Sequence, residues 1–376
     1  MIATIALRNL CHDRIRLLVT LTGIVFAVVL VTLQCGLFWG FMTTISGVVD
    51  NSRADVWVVS RGVKTFDIAM PMPEARYHQV LSVPGVAEAS RMVVDFAFWK
   101  KPDGGQESIE VVAFDAHKGM GGPWNIVRGN LESLGAEDAV ILDQLYLEKL
   151  GVSHLGEEAE IVSRRARVVG FTLGIRSFTT SPYVFTAYRN GHRYSRFAPA
   201  EITYVLVRAA EGVDPKELSR RISARLPNVE AFTTEEFSHK TRMYWMMSTG
   251  AGAALLLAAL LGFVVGMVVV AQTLYATTMD HLGEFATLKA MGAPNGYIIR
   301  ILVVQACISA GLGYGIGLLV CILIVEAQRF GDASIVLSPT MALAIFALTL
   351  CMCVTASLIS IRKIMRLDPA IVFRGR

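Results

Sequence analysis

The chain has 376 residues, 53% of them hydrophobic and only 18% charged, with a mean hydropathy of +0.51 and a formal net charge of +4. Soluble domains carry about a quarter charged residues, and here the deficit is confined to four long windows. This excludes a single soluble globule and predicts a multi-pass α-helical membrane protein, with four transmembrane helices and an inserted extracytoplasmic α+β domain.

In chain order, residues 1–16 form a basic cytoplasmic segment carrying Arg8, Arg14 and Arg16. Leu17 to Val49 is uncharged and reads as the first transmembrane helix with an outward extension. A cleaved signal peptide has an apolar core of roughly 7–15 residues. This run is longer and continues through Leu37, Phe38, Trp39 and Phe41, so the span is retained.

Residues 50–236 read as a periplasmic α+β domain in two lobes. One expected strand is Val56–Ser60, and a helix is opened by Pro73. A strand through Val94 and Phe98 turns at 101–106 and returns over Ile109–Phe114. The order recurs near the end of the domain: strand Ile202–Val207, a helix from Pro215, then Pro227-Asn228-Val229 and a short strand. Two strand–helix–strand halves therefore flank a second strand-rich lobe at about 110–200. Within that lobe, 140–152 predicts a short helix and 161–171 an alternating strand. Its loops carry Trp124, Tyr183, Tyr188, His192, Tyr194 and Phe197 among Arg189, Arg193 and Arg196. Such a set either packs locally or binds an anionic or amphiphilic partner. No cysteine lies between residues 36 and 306, so this domain has no disulfide.

Residues 237–279 form a stalk and the second span, with Gly262 and Gly266 in the spacing that lets helices approach closely. The cytoplasmic segment 280–297 follows, then a third span over 298–325, in which Gly313 and Gly317 share one face. A periplasmic turn occupies 326–338, and Pro339 opens the fourth span, 339–361. The tail, 362–376, holds Arg362, Lys363, Arg366, Arg374 and Arg376 against Asp368. Basic residues beside apolar helices at both ends place both termini in the cytoplasm rather than marking a nucleic-acid site.

Catalytic patterns are missing. The dipeptide Gly-Lys never occurs, which excludes a phosphate-binding G-x-x-x-x-G-K loop. There is no H-E-x-x-H and no G-x-S-x-G, and the seven histidines are scattered singly. No catalytic, cofactor or metal residues are expected. The stretches Leu17–Val49, Met243–Met279, Ile301–Val325 and 339–361 also carry no Asp, Glu, Lys, Arg or His, which disfavours an ion-driven carrier. Energy must therefore arrive from another protein.

The segment 279–294 offers a place for it. Leu282, Phe285, Leu288 and Met291 form an apolar stripe on a helix that also bears Asp280, Glu284 and Lys289. Such a stripe either inserts into a soluble partner or lies against the membrane or the bundle.

YATTMDHLGEFATLKAMGAPNGYIIRILVVQ, residues 275–305, resembles the cytoplasmic coupling segment of MacB/FtsX-type permeases of ABC transporters. LLGFVVGMVVVAQTLYATTMDHLGEFATLKAMG at 260–292, MRLDPAIVF at 365–373 and the N-terminal IALRNLCHDRIRLLVTLTGIVFAVVLV are most similar to DevC-type permeases. The resemblance implies that Leu282, Glu284, Phe285, Leu288, Lys289, Met291 and Gly292 dock on a separate cytoplasmic ABC ATPase, which binds the ATP. It also implies a second permease copy, a periplasmic adaptor, an outer-membrane channel, an inner-membrane location and export of a lipid-like substrate. MacB carries its ATPase in the same polypeptide, and this sequence departs from that pattern. An FtsX-like relay controlling a periplasmic enzyme is the alternative, as is a lipoprotein-releasing or haem-exporting permease.

Overall fold

The structure is a computed structural model that describes residues 14–280, 283, 287, 289, 291–328 and 334–365. The chain divides into two compact units, a helical one made of residues up to Gly40 and from Ala253 onward, and a second one spanning Phe41–Gly252.

The helical unit is built from α1 (Arg14–Ile45, whose outer end belongs to the second unit), α8 (Ala251–Asp280), α9 (Asn295–Ala327) and α10 (Pro339–Met365). Each contains a stretch long and apolar enough to cross a membrane: Leu17–Ile45, Ala251–Thr273, Asn295–Ala327 and Pro339–Leu358. Their packed interior is made of small and β-branched side chains, among them Ile24, Ala27, Val28, Ala306, Ala310 and Ala356. Large apolar side chains such as Leu257, Leu261, Leu323 and Leu343 point outward. That inside-out distribution suits lipid as the surrounding solvent.

The second unit is organised by one ten-stranded mixed sheet. Its strands are β1 (Val56–Ser60), β3 (Val86–Lys100), β4 (Gln106–Phe114), β5 (Ile126–Arg128), β6 (Ala139–Asp143), β7 (Glu158–Ile161), β8 (Arg164–Thr172), β9 (Tyr183–Ala187), β11 (Tyr204–Ala209) and β12 (Val229–Thr233). They lie in the order β12-β1-β11-β3-β4-β9-β6-β8-β5, with β7 pairing both β3 and β8. A separate two-residue ribbon joins β2 (Met72–Pro73) to β10 (Glu201–Ile202). The sheet runs without a break through both halves and the region between them.

Helices α3 (Ala75–Leu81) and α6 (Pro215–Arg225) cover one face through Tyr77, Val80, Leu218 and Ile222. Asp214 caps α6 by accepting from Lys216 N, and Pro215 occupies its first turn. Each helix leads into a strand through a proline followed by a left-handed residue, Gly85 (φ +100°) or Asn228 (φ +63°). The repeat legible in the sequence is thus a repeated helix–turn–strand corner. On the opposite face, α7 (Thr234–Met243) lays Phe237 among Trp57, Tyr204 and Phe232. A capping box at Thr233 and Glu236 starts α7.

Three expectations change. Residues 140–143 belong to β6 rather than a helix, and only Leu147–Leu150 (α4) is α-helical in that stretch. Val140, Ile141 and Leu142 are buried on both faces of the sheet, and such a run has no period to read. Pro73 pairs with Glu201 before α3 starts at Ala75. Finally, neither 17–49 nor 237–279 is one continuous helix. α1 stops at Ile45 and is followed by the short α2 (Gly47–Asp50). α7 passes into a π-helical turn, Tyr244–Ser248, and Gly250 is left-handed (φ +73°) before α8 begins.

Candidate functional site

The four glycines singled out by spacing all meet the same helix, α1. A Cβ on Gly313 would lie 2.5 Å from Ile24 Cγ2, and one on Gly317 2.8 Å from Val28 Cγ1. On α8, a Cβ at Gly266 would lie 3.0 Å from Ala27 Cβ, and one at Gly262 would collide with Leu30 Cδ2. α1 is therefore gripped by α8 and α9, the two helices that flank the segment 281–294. Gly36 and Gly40 of α1 are equally tight, packed under Ile335 and Ser334, and Gly36 O accepts from Val336 N (3.1 Å). Sequence reading missed this pair, although its G-x-x-x-G spacing was available.

Within this segment, Gly283, Thr287 and Lys289 are helical, and Thr287 Oγ1 donates to Gly283 O (2.8 Å). Met291 is 72% exposed. Gly292 closes the segment with φ +90° and donates to Lys289 O (3.0 Å), a left-handed stop that a Cβ would strain. Leu282, Glu284, Phe285 and Leu288 lie outside the described residues.

Within the second unit, the end of α1 is fastened to α7 and the segment after it. Arg242 of α7 donates to Asp50 Oδ2 (2.6 Å) and Ser46 Oγ (2.8 Å), where α1 gives way to α2. Trp245, in the π-helical turn, stacks edge-on with Phe178, which meets Phe41 of α1 in the same way. The indole N–H of Trp245 lies 2.9 Å from both Thr65 Oγ1 and Asp67 Oδ2.

Asp67 is buried, and desolvation pushes its carboxyl above the ordinary range against the opposing hydrogen bond from Trp245. Glu110 is fully buried with neither carboxyl oxygen hydrogen-bonded, and burial followed by the nearby Asp67 and Asp95 raises it well above the usual carboxylate range.

The rings of the aromatic and arginine set pack wholly or partly into the fold, while Arg189, Arg193 and Arg196 stay exposed and make their contacts at the surface. Tyr183 lies in β9 and Tyr194 at the end of α5 (Tyr188–Tyr194), both buried. Tyr194 Oη donates to Arg165 O (2.6 Å), and Trp124 packs edge-on to Phe185. Tyr188 sits against the Arg91 guanidinium (4.3 Å) and donates to Glu74 (3.1 Å), with His192 beside it. Burial alone would raise Glu74, but its bonds from Arg91 and Tyr188 prevail and lower it. Arg193 pairs with Glu137 and Asp138, Arg196 with Asp95, and Arg189 bonds Gly135 O. Phe197 is half-buried against the core. Among the described residues, no three His, Cys, Asp or Glu side chains gather as a metal ion would require.

Residues 17–225 match the MacB-like periplasmic core domain, and residues 239–369 match the FtsX-like permease C-terminal domain. An uncharacterized ABC transporter permease of Mycobacterium bovis is 24% identical over 375 residues, covering 98% of this chain and 99% of the relative. One from Mycobacterium tuberculosis is 25% identical over 376 residues with the same coverage. Among solved structures, the periplasmic region of MacB from Actinobacillus actinomycetemcomitans matches 50% of this chain and 92% of its own, at 10% identity and a TM-score of 0.39. The extracellular domain of the noncanonic ABC-type transporter YknZ from Gram-positive bacteria matches 48% and 98%, at 13% identity and a TM-score of 0.35. With both domain models matched in sequence, and with four apolar helices and an inserted α/β domain, the chain belongs to the MacB/FtsX family of ABC transporter permeases.

Proposed function

We propose that this permease passes ATP-driven motion outward from a separate ABC ATPase, docked at the segment 280–292, to the domain between α1 and α8, and so exports an amphiphilic, lipid-like substrate. The supporting observation is the glycine-mediated grip of α8 and α9 on α1. A displacement delivered between Asp280 and Asn295 is carried by both flanking helices, and close packing passes it to α1 as a rigid body. α1 continues unbroken to Ile45, whereas the second stalk is interrupted by the π-helical turn and Gly250. On this reading α1 pushes while the α7–α8 junction bends. A second permease copy, a periplasmic adaptor and an outer-membrane channel complete the proposed assembly.

The ATPase contact is tested with Phe285→Asp and Leu288→Asp. An apolar contact at each position contributes about 1.5–3 kcal/mol, and an unpaired charge adds a desolvation penalty. Both variants should still insert in the membrane but fail to copurify with the ATPase. Undiminished copurification and transport would remove the docking assignment.

A further inference from the structure

We infer that the loop joining β1 to β2 is a lipid-contacting rim, with its apolar tip Ile68–Met70 resting in the membrane interface. The loop is held rigidly on both sides of that tip. Val63, Thr65, Phe66 and Asp67 are buried before it, and Met72 is buried after it. Tyr204 Oη donates to Phe66 O (2.7 Å), Thr65 Oγ1 donates to Asp67 (3.2 Å), and Met72 pairs with Ile202 in the β2–β10 ribbon. Between these anchors Ile68 and Met70 stand 50% and 43% exposed, and Pro71 is exposed as well. A loop fixed in this way cannot fold its own tip inward.

Its place relative to the bilayer follows from Trp245. The two indole contacts tie Thr65 and Asp67 to the turn that immediately precedes the span beginning at Ala251. Even fully extended, at about 3.5 Å per residue, the chain from Trp245 to Ala251 reaches no more than about 20 Å. The same turn exposes Met247 at 66%. Trp245, Phe178 and Phe41 add an aromatic cluster of the kind that favours the headgroup level. Arg61 and Lys64, both exposed and in no ion pair among the described residues, suit lipid phosphates. A tip of so few residues is far below the ~800 Å² per partner of a stable protein interface. For a lipid interface it is sufficient, because shallow insertion scales with the apolar area immersed.

The test uses the full-length permease with its native cysteines replaced, reconstituted in phosphatidylethanolamine–phosphatidylglycerol vesicles. Bimane is attached at Ile68→Cys or Met70→Cys, or at Leu81→Cys on α3, which covers one face of the sheet and is also exposed. Doxyl-labelled phosphatidylcholine should quench the probes at 68 and 70 severalfold more than the probe at 81, and aqueous iodide should show the reverse order. Equal iodide quenching at all three sites with no doxyl effect would overturn the inference. So would shielding of 68 and 70 from both quenchers, which would mean that protein covers the tip instead.

Discussion

Glycines 311, 313, 315 and 317 alternate along α9, and replacing each by alanine separates packing from composition. At Gly313 the new methyl would sit 2.5 Å from Ile24 Cγ2 and 2.8 Å from Ile24 Cβ. At Gly317 it would sit 2.8 Å and 2.9 Å from Val28 Cγ1 and Cβ. Atoms at or next to a Cβ cannot be rotated clear, so the helices must part, at an overpacking cost of about 1–3 kcal/mol. Alanine returns up to ~1 kcal/mol through helix propensity. The net loss, on the order of 1 kcal/mol, corresponds to a thermal midpoint lower by about 2–4 °C. Gly311 and Gly315 have nothing within 4 Å of an added methyl, so their alanine variants should match or exceed the parent. Gly262→Ala meets the far end of Leu30, which can turn aside, and should be close to neutral. The assay is the midpoint of heat-induced loss of the monodisperse size-exclusion peak. If Gly311→Ala and Gly315→Ala fall as far as Gly313→Ala, the grip on α1 is not what these glycines serve.

Two predictions concern the outer domain. The folded protein holds Glu110 protonated above the usual carboxyl range while the unfolded chain does not. The contribution of Glu110 to stability is therefore least unfavourable at acidic pH, and stability should fall by up to ~1.4 kcal/mol per pH unit from this group as pH rises towards the folded-state value. Glu110→Gln should flatten that slope in thermal midpoints measured across pH 5–8, and an unchanged slope would assign the titration elsewhere. Asp143 accepts from Leu145 N, Ile175 N, Gly174 N and Thr172 Oγ1. Asp143→Ala strands these donors and should cost on the order of 3 kcal/mol, seen as faster amide exchange over residues 172–175.

The spans were legible in the sequence because hydrocarbon demands long uncharged runs, whatever the rest of the fold does. The hairpin at 101–106 was equally plain: β3 ends at Lys100, β4 begins at Gln106, and Lys101 N donates to Gly105 O (2.7 Å). α6 declared itself through Pro215, since a first-turn proline acts within a few residues, while its Asp214 cap was seen only in the structure. Spacing also marked Gly313 and Gly317, but only packing shows that they share α1 as a partner with Gly262 and Gly266. β6 was read as a helix because its apolar residues are covered on both sides, which erases the alternation that betrays a half-buried strand. For the tyrosines and arginines between 183 and 197 the sequence left local packing and partner binding both open, because their partners, Glu74, Arg91, Asp95 and Glu137, are remote in the chain. Local chemistry fixed spans and turns. Tertiary structure decided which helix the glycines face and which charges are spent internally, because both depend on residues that only the fold brings within a few ångströms.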